Sequence, residues 1–299
     1  MYRGRFAPSP TGPLHLGSLI AAVASYLEAK ANNGVWLVRM EDLDKPREMP
    51  GAADDILQTL EIFGFAWDES VIYQSSRQQV YEDALQQIRN KGLVYGCACS
   101  RKEIVDSVGR NPQPQGLDGV IYPGTCRAGL PADKAPRAWR IRTDDSIISF
   151  DDAIQGIFIH DLSEVVGDFV LKRADGFFAY QLAVVVDDAE QGITHVVRGA
   201  DLLDSTSRQI YLQQVLGFTT PVFTHVPAAT NANGEKLSKQ TLAPALDKKN
   251  PARDLWRALD FLSQHPPREL QNSPIADVWH WAVQHWNASS IPRARFKQY

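Results

Sequence analysis

Apolar positions along the first 94 residues alternate between a helical period and unbroken runs. Arg3-Gly-Arg-Phe6 reads as a short strand. From Ser18, the residues Leu19, Ile20, Val23, Ala24 and Leu27 recur on one helical face, and Asn33-Gly34 closes the segment. Val35-Trp-Leu-Val-Arg-Met40 is apolar at nearly every position, as in a strand buried on both faces. Residues 52–63 return to the helical period and stop at Gly64. Ser76 with Gln79 reads as a capping box for a helix that runs to about Asn90, before Gly92. Strand, helix, strand, helix with short connections predicts an α/β fold with a Rossmann-like parallel sheet.

The pattern changes near residue 95. A short helix at about Arg101 to Val108 precedes a loop rich in Gly and Pro. β-like runs follow at Trp139–Arg142, Ile147–Phe150 and Ile157–Ile159, and Asp175-Gly176 marks a hairpin turn before Phe177–Tyr180. Thr194–Gly199 is a buried strand with Arg198 near its C-terminal end. A helix over Ser205–Leu216, the run Thr224-His-Val226, and amphipathic helices around Asp254–Ser263 and Ile275–Trp286 complete the chain. The expected division is 1–94, the first half of a Rossmann catalytic domain; 95–175, an inserted subdomain; 176–240, the second half; and 241–299, a short helical region. No internal repeat is visible.

Composition narrows the class. Of the 299 residues, 44% are hydrophobic and 22% charged, the balance of a soluble globular protein. No apolar run approaches a membrane span, and Met1–Phe6 opens no signal-peptide h-region, so a cytoplasmic protein with no membrane partner is expected. The net charge of −4 lacks the strong basic excess of a general nucleic-acid binder, although a local basic surface suffices for RNA. The 3 cysteines make no disulfide framework.

Candidate chemistry clusters in a few stretches. Pro8, Pro10, Gly12 and Pro13 exclude regular structure and stiffen the loop before the first helix. A helix N-terminus offers unpaired N–H groups and partial positive charge, which suit a phosphate. His15 lies one turn before that helix, within reach of the same anion. Gly17 leaves room for a flat base against the backbone. The spacing equally suits an ordinary proline-rich loop. Glu41-Asp-Leu-Asp44, at the C-terminal end of a buried strand, is either a solvated acidic turn or a crevice in which Glu41 accepts a hydrogen bond from an amino group or ribose. Lys236-Leu-Ser-Lys-Gln240 follows the turn Asn231–Gly234, and two lysines flanking a serine suit a mobile polyphosphate clamp. Arg198, leaving an apolar strand, needs a partner: either Asp187, Asp188 or Asp201, or a ligand. Cys97, Cys99 and Cys126 lie close in sequence, which fits zinc or unrelated buried thiols; no His stands nearby as a fourth ligand.

Together, His15-Leu-Gly-Ser18 and Lys236–Gln240 resemble the paired signatures of class I aminoacyl-tRNA synthetases. The longer run Arg5-Phe-Ala-Pro-Ser-Pro-Thr-Gly12, continued by Leu14-His-Leu-Gly17, resembles the glutamyl branch; the glutaminyl branch usually has Pro-Glu-Pro-Asn-Gly at residues 8–12. Tyr180-Gln-Leu-Ala-Val-Val-Val-Asp-Asp188 is similar to that branch's Tyr-x-Leu-Ala-x-Val-Val-Asp-Asp. The resemblance spans residues 3 to 240. It implies a ligase with ATP, L-glutamate and tRNA as partners, and Mg²⁺ accompanying ATP. By the same resemblance, His15, Gly17, Lys236 and Lys239 are catalytic, and His15, Gly17, Ser18 and Lys239 bind ATP. Arg5, Ala7, Ser9, Glu41, Tyr180 and Arg198 bind glutamate, and the insertion grips the acceptor end of tRNA. The pattern Cys-x-Cys…Tyr-x-x-x-Cys implies a structural zinc on Cys97, Cys99, Tyr122 and Cys126. The lysine run departs from the family's Lys-Met-Ser-Lys-Ser at Leu237 and Gln240 but keeps both lysines and the serine. With 59 residues after Gln240 in a chain of 299, a full anticodon-binding domain is not expected. The chain then resembles the short paralogues of this branch, which activate glutamate and transfer it to the queuosine base in the anticodon loop of tRNA(Asp); a monomer with tRNA-independent activation is expected. The alternative is a truncated, discriminating glutamyl-tRNA synthetase that charges a tRNA 3′ end.

Overall fold

The computed structural model describes residues 1–108, 115–117, 119–237 and 243–299. Strand β1 (Arg3–Phe6) leads through helix α1 (Leu16–Ala31) to strand β2 (Val35–Met40), which pairs with β1 in parallel. Helix α2 (Ala52–Ile62) then returns the chain to β3 (Ile72–Tyr73), parallel to β2. The unbroken apolar character of β2 has a direct cause. Trp36, Val38 and Met40 face one core with α1, while Leu37 faces a second core, so both sides of the strand are covered.

Helix α1 differs from the expectation in two ways. It starts at Leu16 rather than Ser18, because His15 is its N-cap: the residue is extended, and its Nδ1 accepts the Ser18 N–H at 3.3 Å. It is also buried on more than one face, with Ala22, Ser25 and Tyr26 enclosed as well. Its outer side is covered by two helices from the end of the chain, Pro251–Phe261 and Ile275–His285. Helix α3 (Gln78–Asn90) lacks the expected capping box. Arg77 occupies the N-cap position, and the Ser76 hydroxyl donates to the Tyr73 carbonyl in the preceding turn.

Strand β4 (Val94–Cys97) precedes helix α4 (Arg101–Val108) and a small hairpin of β5 (Gln115–Gly116) and β6 (Gly119–Val120). β4 is antiparallel to β7 (Ala138–Ile141), which pairs on its other edge with β10 (Val170–Lys172). Between them lie β8 (Ile147–Asp152), its antiparallel partner β9 (Gly156–Asp161) and the single turn α5 (Leu162–Val165). The expected hairpin turn is present: Lys172 bridges Phe178, and Gly176 adopts φ +86°.

Helix α6 (Tyr180–Glu190) leads to β11 (His195–Gly199), helix α7 (Thr206–Leu216), β12 (Val222–Val226) and β13 (Ala228–Thr230). β11 and β12 are parallel, and Phe223 of β12 pairs with Asp152 of β8. The last helices, α8 (Pro251–Phe261) and α9 (Ile275–His285), pack on α1, and the final strand β14 (Phe296–Gln298) runs parallel to β13. Trp279 of α9 donates from Nε1 to the Phe63 carbonyl at 2.7 Å. Gly64 has φ +77°, and a Cβ there would lie 2.9 Å from that same Nε1.

Candidate active site

The Thr194 N–H donates to the Arg3 carbonyl at 3.0 Å, which sets β11 against the edge of β1 away from β2. The strands therefore run β3, β2, β1, β11, β12 across the domain, with the first connections leading one way and the second half the other. Open α/β sheets hold ligands where this direction reverses, beyond the C-terminal ends of the strands. A cavity of about 510 Å³ lies there, and every described residue of the expected catalytic, ATP and glutamate sets lines it. Arg5, Ala7, Ser9, Glu41, Tyr180 and Arg198 come from one set, His15, Gly17, Ser18 and Lys236 from the other. Lys239 falls outside the described residues.

The amino-acid wall rests on a buried charge network. Arg5 donates from Nε and Nη2 to the two carboxylate oxygens of Asp188, at 3.0 and 3.2 Å. Arg39, fully enclosed in β2, reaches Asp188 at 2.8 Å, Glu41 at 3.3 Å and Gln191 at 2.7 Å. Asp187 behind it accepts from Tyr81, Gln74 and Arg77. Burial alone would raise the Asp188 carboxyl and lower the Arg39 guanidinium. The surrounding charges outweigh it: Arg5 and then Arg39 hold Asp188 below its usual range, and Asp188, Glu41 and Asp187 hold Arg39 above its own. At Glu41 burial prevails over Arg39 and Arg5 and raises the carboxyl. Burial also raises the Tyr180 phenol, with Glu41 adding to it.

Arg198 is treated differently. It is 5% exposed, yet it meets only uncharged acceptors: His225 Nε2 at 2.9 Å, Gln209 Oε1 at 2.8 Å, Thr206 Oγ1 at 3.1 Å and the Leu202 carbonyl at 3.4 Å. Burial lowers its pKa. Asp187 and Asp188 are engaged by Arg5, Arg39 and Arg77, and Asp201 pairs with Lys236 at 2.5 Å. Among the described residues, no carboxylate lies within 4.0 Å of Arg198. The internal salt bridge that the sequence left open is therefore not formed there.

The opposite wall is the start of α1. The His15 ring folds over the first turn, with Nε2 3.4 Å from Ser18 Oγ. A Cβ on Gly17 would lie 3.1 Å from the His15 ring and 3.4 Å from the Leu237 carbonyl. Gly17 thus lets the imidazole and the base of the lysine run close over the helix start. The imidazole and the Leu237 carbonyl take up space that the sequence reading left for a base. Leu237 is fixed by its N–H to the Ala229 carbonyl, 2.7 Å, and Lys236 bridges Thr230. Asp201 and Arg47 also line the cavity and were not anticipated. Arg39 could have been read from the sequence, since it is a cation inside an apolar strand, the same signal that marks Arg198.

The cysteines form a second cluster. The sulfurs of Cys97, Cys99 and Cys126 lie within 4.8 Å of one another, and Cys99 and Cys126 are 3.5 Å apart. Cys97 donates to Tyr122 Oη at 3.4 Å, and that oxygen stands 3.7 Å from the Cys99 sulfur. Zinc–sulfur bonds near 2.3 Å imply tetrahedral edges of about 3.8 Å, so the donor set has the spacing of a metal cage. Burial would raise the Cys126 thiol, but bonds from Tyr122, the Ala98 backbone and the other thiols bring it down to about 7. Cys99 is pushed up to about 11 by burial. Burial also raises the Tyr122 phenol.

The family model described as class I tRNA synthetases (E and Q), catalytic domain, matches residues 1–255. A glutamyl-Q tRNA(Asp) synthetase of Dechloromonas aromatica is 59% identical over 293 residues, covering 98% of this chain and 96% of that protein. One from Chromobacterium violaceum is 55% identical over 292 residues, with 98% and 96% covered. Among solved structures, the glutamate-tRNA synthetase of Elizabethkingia anophelis aligns with a TM-score of 0.81 at 25% identity, over 100% of this chain and 68% of that one. The chain belongs to the class I tRNA synthetases of the glutamyl and glutaminyl type, and within them to the glutamyl-Q tRNA(Asp) synthetase family.

Proposed function

We propose that this protein activates L-glutamate with ATP and transfers it to the queuosine base in the anticodon loop of tRNA(Asp). The observation that carries the amino-acid assignment is Arg198, a buried cation at the cavity wall held by uncharged groups alone among the described residues. A substrate side-chain carboxylate supplies the missing charge. Arg5, whose Nη1 makes no bond among the described residues, Tyr180 and Ser9 complete the pocket with Ala7, and Glu41 accepts the substrate ammonium.

An α-carboxylate oxygen of glutamate attacks the α-phosphorus of ATP. The new C–O–P linkage forms as the bond to the β-phosphate oxygen breaks, and pyrophosphate departs. The chain contributes position and charge rather than covalent chemistry. His15, Gly17 and Ser18 at the start of α1 hold the phosphates, and Lys236 and Lys239 meet the charge that develops on pyrophosphate. When bound, Mg²⁺ offsets charge on the phosphates. A hydroxyl of the acceptor then attacks the acyl carbon and AMP leaves. Cys97, Cys99, Cys126 and Tyr122 hold a structural zinc in the subdomain of residues 95–175, inserted between catalytic halves 1–94 and 176–240; residues 241–299 form the stem-contacting region. Activation needs no tRNA, and the protein works as a cytoplasmic monomer.

The test follows radioactive glutamate into RNA. Labelling should require queuosine in tRNA(Asp) and persist when the 3′-terminal adenosine has been removed. Labelling that depends on the terminal adenosine and ignores queuosine would replace this reading by 3′-end charging.

A further inference from the structure

Arg198 and His225 are register partners on the parallel strands β11 and β12. Arg198 Nε donates to His225 Nε2 at 2.9 Å. A guanidinium has donors only, so His225 must present a lone pair at Nε2. Its proton is then on Nδ1, which donates to Asp152 Oδ2 at 2.5 Å. Neither the His225 nor the Asp152 side chain is exposed. Asp152 is fixed in turn by the backbone: its Oδ1 accepts the N–H groups of Ile154, Gln155 and His225, at 3.1, 2.8 and 3.2 Å.

The chain of contacts is therefore carboxylate, neutral imidazole, guanidinium. Its electrostatic result differs from a direct ion pair. Asp188 touches Arg5 and cancels its charge. Asp152 is held one imidazole away from Arg198, so it fixes the orientation of that guanidinium without neutralising it. Gln209 and Thr206 add uncharged contacts, and the Gln209 amide is itself oriented by donating to Gln181 at 2.9 Å.

We propose that His225 and Asp152 are positioning residues for substrate recognition: Asp152 sets the tautomer of His225, and His225 aims Arg198 into the cavity while leaving its charge available to the glutamate side chain. This rests on the reading of Arg198 as the site of that carboxylate. Asp152→Asn supplies the decisive perturbation. Its amide keeps the shape but turns a donor toward Nδ1, which drives the imidazole proton to Nε2 and sets N–H against N–H at Arg198.

In glutamate-dependent ATP–pyrophosphate exchange, Asp152→Asn should raise KM for glutamate roughly 10- to 100-fold, the range of one lost charge-assisted bond, with KM for ATP nearly unchanged. His225→Gln, whose side-chain oxygen can accept from Arg198, should lose less than His225→Leu. The ring nitrogens of His225 in the unaltered protein, observed by ¹⁵N NMR at neutral pH, should show the Nδ1–H tautomer whether or not the variants fold. An Nε2–H tautomer or an imidazolium there overturns the proposal. So does an unchanged glutamate KM in Asp152→Asn when Arg198→Ala raises it, an outcome that leaves the substrate reading intact. An unchanged glutamate KM in Arg198→Ala overturns both.

Discussion

Replacement of Asp188 by Asn isolates the buried network behind the amino-acid wall. Asp188 Oδ1 receives Arg5 Nε at 3.0 Å and Arg39 Nη1 at 2.8 Å, and Oδ2 receives Arg5 Nη2 at 3.2 Å. The side chains of Arg5, Arg39 and Asp188 are 4%, 0% and 9% exposed, so water cannot take over these bonds. Asn preserves the shape, removes the charge and turns an N–H group toward guanidinium donors. Breaking one side of a buried ion pair costs about 3–5 kcal/mol. Arg39 retains Glu41 and Asp187, whereas Arg5 loses its carboxylate, which puts the expected loss near the lower end, about 3 kcal/mol. For a chain of this size that is a fall of roughly 6 °C in melting temperature. Urea unfolding followed by circular dichroism gives the free energy directly. Glu190→Gln is the control. Glu190 is 49% exposed and pairs with Arg77 at the edge of the same network, so its loss should be under about 1 kcal/mol. Equal, small losses in both variants would refute the claim that burial makes the Asp188 bonds strong.

Four further outcomes are expected. Lys239→Ala should melt like the parent and slow glutamate activation roughly 10²–10³-fold in pyrophosphate exchange, the scale of one lost transition-state donor; unchanged turnover removes its role. Glutamate should be preferred over glutamine by at least ~10³-fold in kcat/KM, because a carboxamide leaves the Arg198 charge unmet; comparable values would overturn that assignment. Protein purified without chelator should carry about one zinc per chain, and Cys97→Ser should lose it and melt lower; no metal and unaltered melting would return the thiols to the core. His225 is held near pKa about 4, against 6.5 when unfolded, chiefly by burial. Its stabilising contribution is therefore full above about 6.5 and lost as pH falls through about 4, so the stability difference between the parent and His225→Gln should shrink across that window; a pH-independent difference would show that His225 keeps its ordinary pKa in the fold.

Local patterns exposed the strands of the catalytic sheet because burial on both faces leaves a continuous apolar run, as in Val35–Met40. The stiff loop before α1 was equally legible, since Pro and Gly act there through their own chemistry. What escaped was set by residues far away in sequence. The outer side of α1 is buried because α8 and α9 cover it, more than two hundred residues downstream. His15 reads as a free imidazole until the extended backbone before Leu16 turns its Nδ1 onto the Ser18 N–H. Asp187 and Asp188 were visible as carboxylates near an arginine, but the assignment of Asp188 to Arg5 and Arg39 instead of Arg198 depends on β1 lying against β11. His225 gave no sequence signal of its own. Its role follows from the register that places it beside Arg198.

The network also separates two demands that conflict in any buried anion site. A cation enclosed by protein must recover the solvation it lost, and the strongest way is a carboxylate. Arg39 is satisfied in that way, and so is Arg5. A cation that is to bring an unspent charge to an incoming carboxylate cannot be; Arg5 keeps only its Nη1 for the substrate. Arg198 recovers its hydrogen bonds from an imidazole, an amide, a hydroxyl and a carbonyl, while Asp152 stands behind the imidazole. Orientation is thereby secured and neutralisation deferred until substrate arrives. The arrangement costs stability in the empty site, since burial disfavours the charged form of Arg198. A carboxylate at position 209 in place of Gln would relieve that cost. Gln209→Glu should accordingly raise the melting temperature and weaken glutamate binding, an opposed pair of changes that a purely structural Arg198 would not produce. A variant that gains stability and keeps its KM for glutamate would show that the charge of Arg198 is not what recognises the substrate.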